Sequence, residues 1–174
     1  MTTLDLLYQG ACEEAVDICE HLPLLRDYAE KCETIVEFGV FRGSSTTALL
    51  AGCPGEVFSY DIRRQPEVDL IAQTAAGRWV FREGSSLLAA IPACDLLFID
   101  SWHTGPQLEL ELELHSGRVR RWIIMHDTET FGVRGENGGK GLWGALVGWL
   151  ERHPEWTMKE HYTHNNGLTV LERK

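Results

Sequence analysis

The sequence predicts an α/β protein with a mostly parallel central sheet. Short runs rich in Val, Ile, Phe, Tyr and Trp alternate with helix-like segments, as expected of strands that are covered on both faces. A strand, a helix and a second strand in succession form a parallel pair with a right-handed crossover. The 174 residues contain no internal repeat, low-complexity tract or linker, so we expect a single domain over 1–174.

The elements follow from these patterns in chain order. Strands are predicted at 34–40, 56–62, 78–83, 94–100, 121–127, 156–163 and 167–173. Helices are predicted at 11–32, 44–52, 67–76, 85–91, 104–116 and 140–152. We expect Pro23 to interrupt the first of these, which lies in an N-terminal helical segment, 1–33. The sequence HNNG suits a tight antiparallel turn between the last two strands.

The segment QLELELELH alternates as a strand would, but we predict a helix. It lacks β-branched residues, Leu and Glu are strong helix formers, and Pro106 suits a first helical turn. Gly117 provides a natural end. In a helix Leu108 and Leu112 share one face, as do Leu110 and Leu114.

Composition excludes some classes of partner. The formal net charge of -10 disfavours binding to nucleic acid or anionic lipid. The N-terminus lacks a basic start with a signal-like apolar run, and no stretch approaches the ~20 apolar residues that span a bilayer. The five cysteines form no CxxC pair, which is typical of reduced thiols in a cytoplasmic protein.

Ligands of parallel sheets bind at the carboxyl ends of the strands, so the residues there are candidates for function. After the first strand, Gly39 and Gly43 flank a turn into a helix that begins near Ser44 and offers free N–H groups. The spacing differs from the GxGxxG of dinucleotide-binding proteins. Glu37 is unusual within an apolar run. Alternatively, the segment is only a tight turn before a capped helix.

The next two strands add weaker candidates. Asp61 follows the glycine turn by about twenty positions, a spacing at which a carboxylate can bind ribose hydroxyls. With the glycine turn, it indicates a ligand that contains a nucleoside. After the third strand, Ser85 or Ser86 either caps the next helix or contacts an adenine ring.

The fourth and fifth strands place two carboxylates and two imidazoles at their ends. Asp100 ends the fourth strand, and His103 follows it by three positions. The fifth strand ends with His126 and Asp127. If the strands are neighbours, the carboxylates can bind Mg²⁺ or a similar ion, and His126 is a further candidate ligand that would favour a softer metal. His103 can act as a general base on a hydroxyl. Alternatively, each aspartate caps a helix and the histidines are solvated.

Together these residues resemble a known family. The matching segments are VEFGVFRGSSTTALL, YDI, LLFIDSWHTG, IIMHDT, GLWGALVGWLERHPEW and NNGLTVLER. They resemble class I S-adenosylmethionine-dependent methyltransferases, and more narrowly the metal-dependent group described as cephalosporin-hydroxylase-like, whose relatives include macrolide sugar O-methyltransferases. The resemblance covers roughly 34–174, and its most specific part is D-x-x-H followed by H-D after the next strand.

The resemblance implies a Rossmann-like sheet of seven strands with the last antiparallel. It implies S-adenosylmethionine as cofactor, with its methionine part over the turn 37–43 and its ribose on Asp61. It also implies Mg²⁺ or Mn²⁺ on Asp100 and Asp127, and His103 as the general base. The family often has an acidic residue where this chain has His126. The expected cofactor-binding residues are Glu37, Gly39, Gly43, Ser44, Asp61, Ser85 and Asp100, and the expected metal ligands are Asp100, His126 and Asp127.

The expected function is O-methylation of a hydroxyl on a small, sugar-like or natural-product-like molecule. The alternatives are a metal-dependent hydrolase and a non-catalytic nucleoside-binding module. A homo-oligomer is left open. The glycine-rich segment 131–141 is either a mobile lid or a surface loop. Trp102, Phe131 and Trp143 either line an acceptor pocket or belong to the core.

Overall fold

The computed structural model of the chain describes residues 1–14 and 18–174. Its helices are α1 Thr3–Glu13, α2 Leu22–Ala29, α3 Ser44–Gly52, α4 Val68–Thr74, α5 Gly105–His115 and α6 Leu142–Arg152. Its strands are β1 Thr34–Phe38, β2 Glu56–Asp61, β3 Trp79–Glu83, β4 Cys94–Ile99, β5 Val119–His126, β6 Trp156–Tyr162 and β7 Leu168–Arg173. Within these described ranges, no helix is both long and apolar enough to cross a membrane.

The strands form one seven-stranded sheet in the order β3-β2-β1-β4-β5-β7-β6. Strands β1 to β5 pair in parallel, whereas β7 is antiparallel to both β5 and β6. This confirms the predicted mostly parallel sheet with an antiparallel last strand. The strand order reverses between β1 and β4, so the carboxyl ends of these two strands form the crevice in which such folds bind ligands.

Alternating residues of the central strands supply two hydrophobic layers. On β1, Ile35 belongs to the hydrophobic cluster that includes residues of α1, α2, α3 and α4, while Val36 belongs to the cluster that includes residues of α5 and α6. Leu96 and Leu97 of β4 divide in the same way. Because side chains of a strand alternate between faces, a continuous apolar run is the pattern expected of a sheet buried on both sides.

Helix α5 confirms the helical interpretation of the alternating Leu-Glu segment. Thr104 caps it by accepting a hydrogen bond from the backbone N–H of Gln107 at 3.4 Å. Leu108 and Leu112 are buried, whereas Leu110 and Leu114 are about half exposed. The two leucine pairs therefore lie on different faces, one toward the sheet and one toward solvent.

Two predicted helices were wrong in extent. Residues 85–91 form only a short 3₁₀ turn, Ser86–Leu88, because Pro92 follows too closely for a longer helix. The first helix begins at Thr3, where Thr2 and Asp5 form a capping box. Pro23 lies in the first turn of α2 rather than interrupting a helix. Residues 15–17 of the predicted segment 11–32 lie outside the described residues.

Candidate active site

Glu37 is completely buried at the end of β1. Its carboxylate accepts hydrogen bonds from the hydroxyls of Ser45 at 2.6 Å, Thr46 at 2.8 Å and Ser59 at 2.5 Å. Burial raises the pKa of Glu37 to about 7, although the three hydroxyls oppose this shift. The carboxylate therefore ties β1 to the start of α3 and to β2. It holds the turn in place from beneath.

The glycines of this turn are required by close packing of the protein on itself. Gly39 and Gly43 have φ of +86° and +89°, which glycine adopts readily. A Cβ at Gly39 would overlap the carbonyl oxygen of Asp100, and one at Gly43 would overlap the side chain of Ile71. The first contact fixes the distance between the ends of β1 and β4. The absence of a side chain at Gly39 therefore allows the ends of β1 and β4, the two walls of the crevice, to approach each other.

Asp61 also holds the turn. Its Oδ2 accepts hydrogen bonds from the backbone N–H of Val40 at 2.7 Å and of Phe41 at 2.9 Å, and its Oδ1 accepts one from the backbone N–H of Arg63 at 3.0 Å. A carboxylate offers about four acceptor positions, so roughly one stays available to a ligand. Phe41 has an unusual φ of +46°, which these bonds stabilise.

The fourth and fifth strands are neighbours, and their ends bring the predicted carboxylates and imidazoles together. His103 Nε2 lies 3.1 Å from Asp100 Oδ1 and 3.0 Å from Asp127 Oδ2. One ligand atom from each of these three residues lies within 4.8 Å of the other two. His126 Nδ1 lies 3.4 Å from Asp100 Oδ1, and its Nε2 is 3.1 Å from the carbonyl oxygen of Asn165. We refer to Asp100, His103 and Asp127 as the Asp-His-Asp cluster.

The electrostatics of the cluster favour a cation between its two aspartates. Burial alone would lower the pKa of both imidazoles, but the carboxylates outweigh it, raising the pKa of His126 to about 9 and that of His103 above its usual value. Burial alone would raise the pKa of Asp100, but the two imidazoles hold it well below its usual range. Two carboxylates that converge in this way are donors suited to a divalent metal ion.

His103 is fixed on its other sides by the segment 131–141, a role that the sequence did not predict. Glu136 Oε2 lies 3.3 Å from His103 Nδ1, and the backbone N–H of Glu136 donates to the carbonyl oxygen of His103 at 2.9 Å. The ring of Phe131 stacks on the imidazole at 4.9 Å with an angle of 8° between the planes. The signal available in the sequence was a carboxylate in a glycine-rich segment soon after Asp127.

Other contacts fold this segment back onto the start of α5. The backbone N–H of Gly105 donates to the carbonyl oxygen of Lys140 at 2.9 Å. Within the segment itself, Arg134 and Lys140 form an isolated antiparallel β-bridge. Of the aromatic residues proposed for an acceptor pocket, Trp102 is 54% exposed, and Trp143 packs edge-on against His161. Whether the segment closes as a lid stays a prediction.

A cavity of about 810 Å³ connects the glycine turn with the Asp-His-Asp cluster. Of the predicted site residues, those that line it are Gly39, Ser44, Asp61, Ser85, Asp100, His103 and Asp127. Glu37 and Gly43 lie behind the turn, and His126 lies behind the cluster. Ser85 also accepts a hydrogen bond from the backbone N–H of Leu87 at 3.3 Å, so it caps the 3₁₀ turn as well as facing the cavity.

Comparison with known proteins places this geometry on a familiar scaffold. No protein-family model matches the sequence, and no curated protein sequence matches it. An O-methyltransferase from Bacillus cereus in complex with S-adenosylhomocysteine is 17% identical, with a TM-score of 0.72 over 99% of this chain and 90% of that one. The O-methyltransferase TomG from Streptomyces achromogenes, in complex with S-adenosylmethionine, is 15% identical, with a TM-score of 0.71 over 90% and 80%.

A third similar solved structure is that of an N-methyltransferase. The 1,6-didemethyltoxoflavin-N1-methyltransferase from Burkholderia thailandensis, with S-adenosylhomocysteine bound, is 15% identical, with a TM-score of 0.71 over 93% of this chain and 80% of that one. At these identities the likeness shows a shared Rossmann-like fold.

Proposed function

We propose that this chain, which has the fold of class I S-adenosylmethionine-dependent O-methyltransferases, methylates a hydroxyl of a small molecule. The observation that carries the proposal is the single cavity that reaches from Asp61 to the Asp-His-Asp cluster. Methyl transfer needs donor and acceptor aligned at contact distance, and one continuous cavity can hold both. The cofactors bound to the structural neighbours support S-adenosylmethionine as the donor.

The glycine turn is the proposed cofactor site. When bound, S-adenosylmethionine supplies an electrophilic methyl group. We assign its ribose to the acceptor position left on Asp61, its methionine part to the turn at Gly39 and Ser44, and its adenine to the side of Ser85. Glu37 would contribute by holding the turn through its three hydroxyl partners.

The Asp-His-Asp cluster is the proposed acceptor site. Asp100 and Asp127 would hold Mg²⁺ or Mn²⁺, with His126 as a further candidate ligand. A divalent cation there would lower the pKa of an acceptor hydroxyl. His103 would take the hydroxyl proton at Nε2 while its Nδ1–H donates to Glu136.

Calorimetry with S-adenosylmethionine, in the presence and absence of Mg²⁺, tests the proposal. We expect the cofactor to bind, and a screen of hydroxylated small molecules to yield S-adenosylhomocysteine with at least one of them. A metal-dependent hydrolase would not bind the cofactor. A nucleoside-binding module would bind it, but its affinity would respond to neither metal nor acceptor, and no S-adenosylhomocysteine would be released.

A further inference from the structure

A second buried carboxylate lies behind the wall of the cavity, and the proposed reaction does not use it. Glu111 on α5 is 1% exposed. Its Oε1 accepts hydrogen bonds from Ser86 Oγ at 2.5 Å, Ser101 Oγ at 2.6 Å and Gln107 Nε2 at 2.9 Å. An acidic side chain is seldom buried this fully unless it has hydrogen-bonding partners. The three donors around Glu111 are therefore a specific feature of this part of the structure.

The three partners of Glu111 come from separate elements and all line the cavity. Ser86 follows β3, Ser101 follows β4, and Gln107 lies in the first turn of α5. They adjoin Ser85, the residue proposed to lie beside the adenine. We refer to Ser86, Ser101 and Gln107 as the polar wall.

Glu111 determines which hydrogen-bonding groups the polar wall can present. A serine hydroxyl has one proton, and both Ser86 and Ser101 direct theirs to Glu111. The amide nitrogen of Gln107 has two protons, which it directs to Glu111 and, at 3.1 Å, to Ser86 Oγ. These three side chains therefore present only oxygen lone pairs toward the cavity. The wall is therefore complementary to a hydrogen-bond donor and unfavourable to an acceptor.

We propose that Glu111 is a positioning residue that makes the polar wall select a purine with an amino group at C6 over one with an oxo group. This inference rests on the proposed function, because it assigns the adenine of the cofactor to the wall. The 6-amino group donates to the oxygens of the wall. A 6-oxo group would face them with lone pairs only, leaving both sides unpaired in a partly buried site.

Binding of two nucleoside ligands tests the inference without requiring turnover. The probes are S-adenosylhomocysteine and S-inosylhomocysteine, which differ by 6-amino against 6-oxo, and calorimetry gives the dissociation constant of each. For the wild type we expect the inosyl ligand to bind about 10- to 100-fold more weakly. In Glu111→Gln the new amide adds donors beneath the wall, so the ratio should fall to within about threefold.

Glu113→Gln is the matched control on the same helix, because Glu113 is exposed and pairs with Arg152 at 3.0 Å. It should keep the wild-type ratio. If Glu111→Gln does not fold, Gln107→Leu replaces it, since it removes the amide oxygen from the wall and should also lower the ratio. Equal binding of both ligands by the wild type, or an unchanged ratio in Glu111→Gln or in Gln107→Leu, would overturn the inference alone. Binding of neither ligand by the wild type would overturn the proposed function as well.

Discussion

The carboxylates at the ends of the central strands serve different purposes that their spacing in the sequence does not distinguish. Glu37 accepts hydrogen bonds from protein hydroxyls and Asp61 accepts them from backbone N–H groups, so both act mainly to shape the cavity. Asp100 and Asp127 instead face a shared imidazole, His103. At the residue scale, function depends on the donors that each carboxylate meets.

The buried Glu37 predicts a particular dependence of stability on pH. Its pKa is raised to about 7 in the folded protein from an ordinary value of 4.5, so the folded state holds a proton that the unfolded state releases between these values. The resulting contribution of Glu37 to the free energy of unfolding is complete below pH 4.5 and is lost as the pH rises through 7. Relative to Glu37→Gln, the wild type should gain about 3 kcal/mol in free energy of unfolding from pH 7.5 to 4.5. Urea unfolding across pH measures it, and a constant difference would contradict it.

Variants three residues apart separate the roles in the Asp-His-Asp cluster. Asp100→Ala should lose metal affinity and turnover together, because it removes a ligand. His103→Ala should lose about 10²- to 10⁴-fold in rate and retain most of its metal affinity, as expected of a general base. Calorimetry with Mn²⁺ and single-turnover rates measure both. A loss of metal affinity in His103→Ala as large as that in Asp100→Ala would show that the imidazole is itself a ligand.

Glu136 should matter to catalysis although it is half exposed. By accepting from His103 Nδ1 at 3.3 Å it favours the tautomer that carries its proton on Nδ1 and its lone pair on Nε2. Glu136→Gln removes the charge and should lower kcat about 10-fold, the lower end of the range for such supporting residues. The matched control is Glu129→Gln, because Glu129 contacts His161 at 2.9 Å. Equal kcat values in the two variants would show that Glu136 does not act on His103.

At the scale of elements, the sequence predicted strands better than short helices. The strands end where apolar runs meet polar residues, and burial on both faces makes those runs continuous. The Leu-Glu segment was correctly predicted to be a helix, α5. The high helix propensity of Leu and Glu outweighed the strand-like alternation of the two residues. The helix at 85–91 was wrong because a capping serine specifies where a helix starts and not how far it continues.

Because the ends of β1 and β4 are in close contact, adding a single methyl group at Gly39 should strongly lower the free energy of unfolding. Gly39→Ala would press a Cβ on the carbonyl of Asp100, costing about 1–3 kcal/mol in overpacking beyond the left-handed backbone itself. Gly77 is the matched control, since it has φ of +80° but open space around it. Gly77→Ala should cost only the left-handed backbone term of about 1–2 kcal/mol. Equal losses in urea unfolding would contradict the packing argument.

At the scale of the whole molecule, the parallel sheet made the meeting of Asp100 and Asp127 predictable. Once β4 and β5 are neighbours, the residues after them must meet at one edge, so Asp100 and Asp127 could be paired from sequence. Glu136 and Glu111 could not be assigned in this way. Their partners depend on how a loop and a helix fold over that edge, which local patterns do not specify.

Metal dependence should be visible in both activity and global stability. Chelator should abolish turnover, and Mg²⁺ or Mn²⁺ should restore it. Metal at 100 times its dissociation constant should also add about 2.7 kcal/mol to the stability of the fold, raising Tm. Asp127→Asn should lose much of this increase. Full turnover after exhaustive chelation would contradict the metal role and leave cofactor binding intact.

The position of β7 in the sheet affects the order in which the strands can pair during synthesis. β7 lies between β5 and β6, and the turn before it contacts the end of β5: Asn165 accepts from His126, and Gly167 accepts from the backbone N–H of Thr128. On the ribosome, a nascent chain can pair β1 to β5 while this turn is still unmade. Asp127 then lies at an open strand end, without the turn that packs around it. The edge that carries the Asp-His-Asp cluster therefore matures after β1 to β5 have paired, once the turn before β7 has been made.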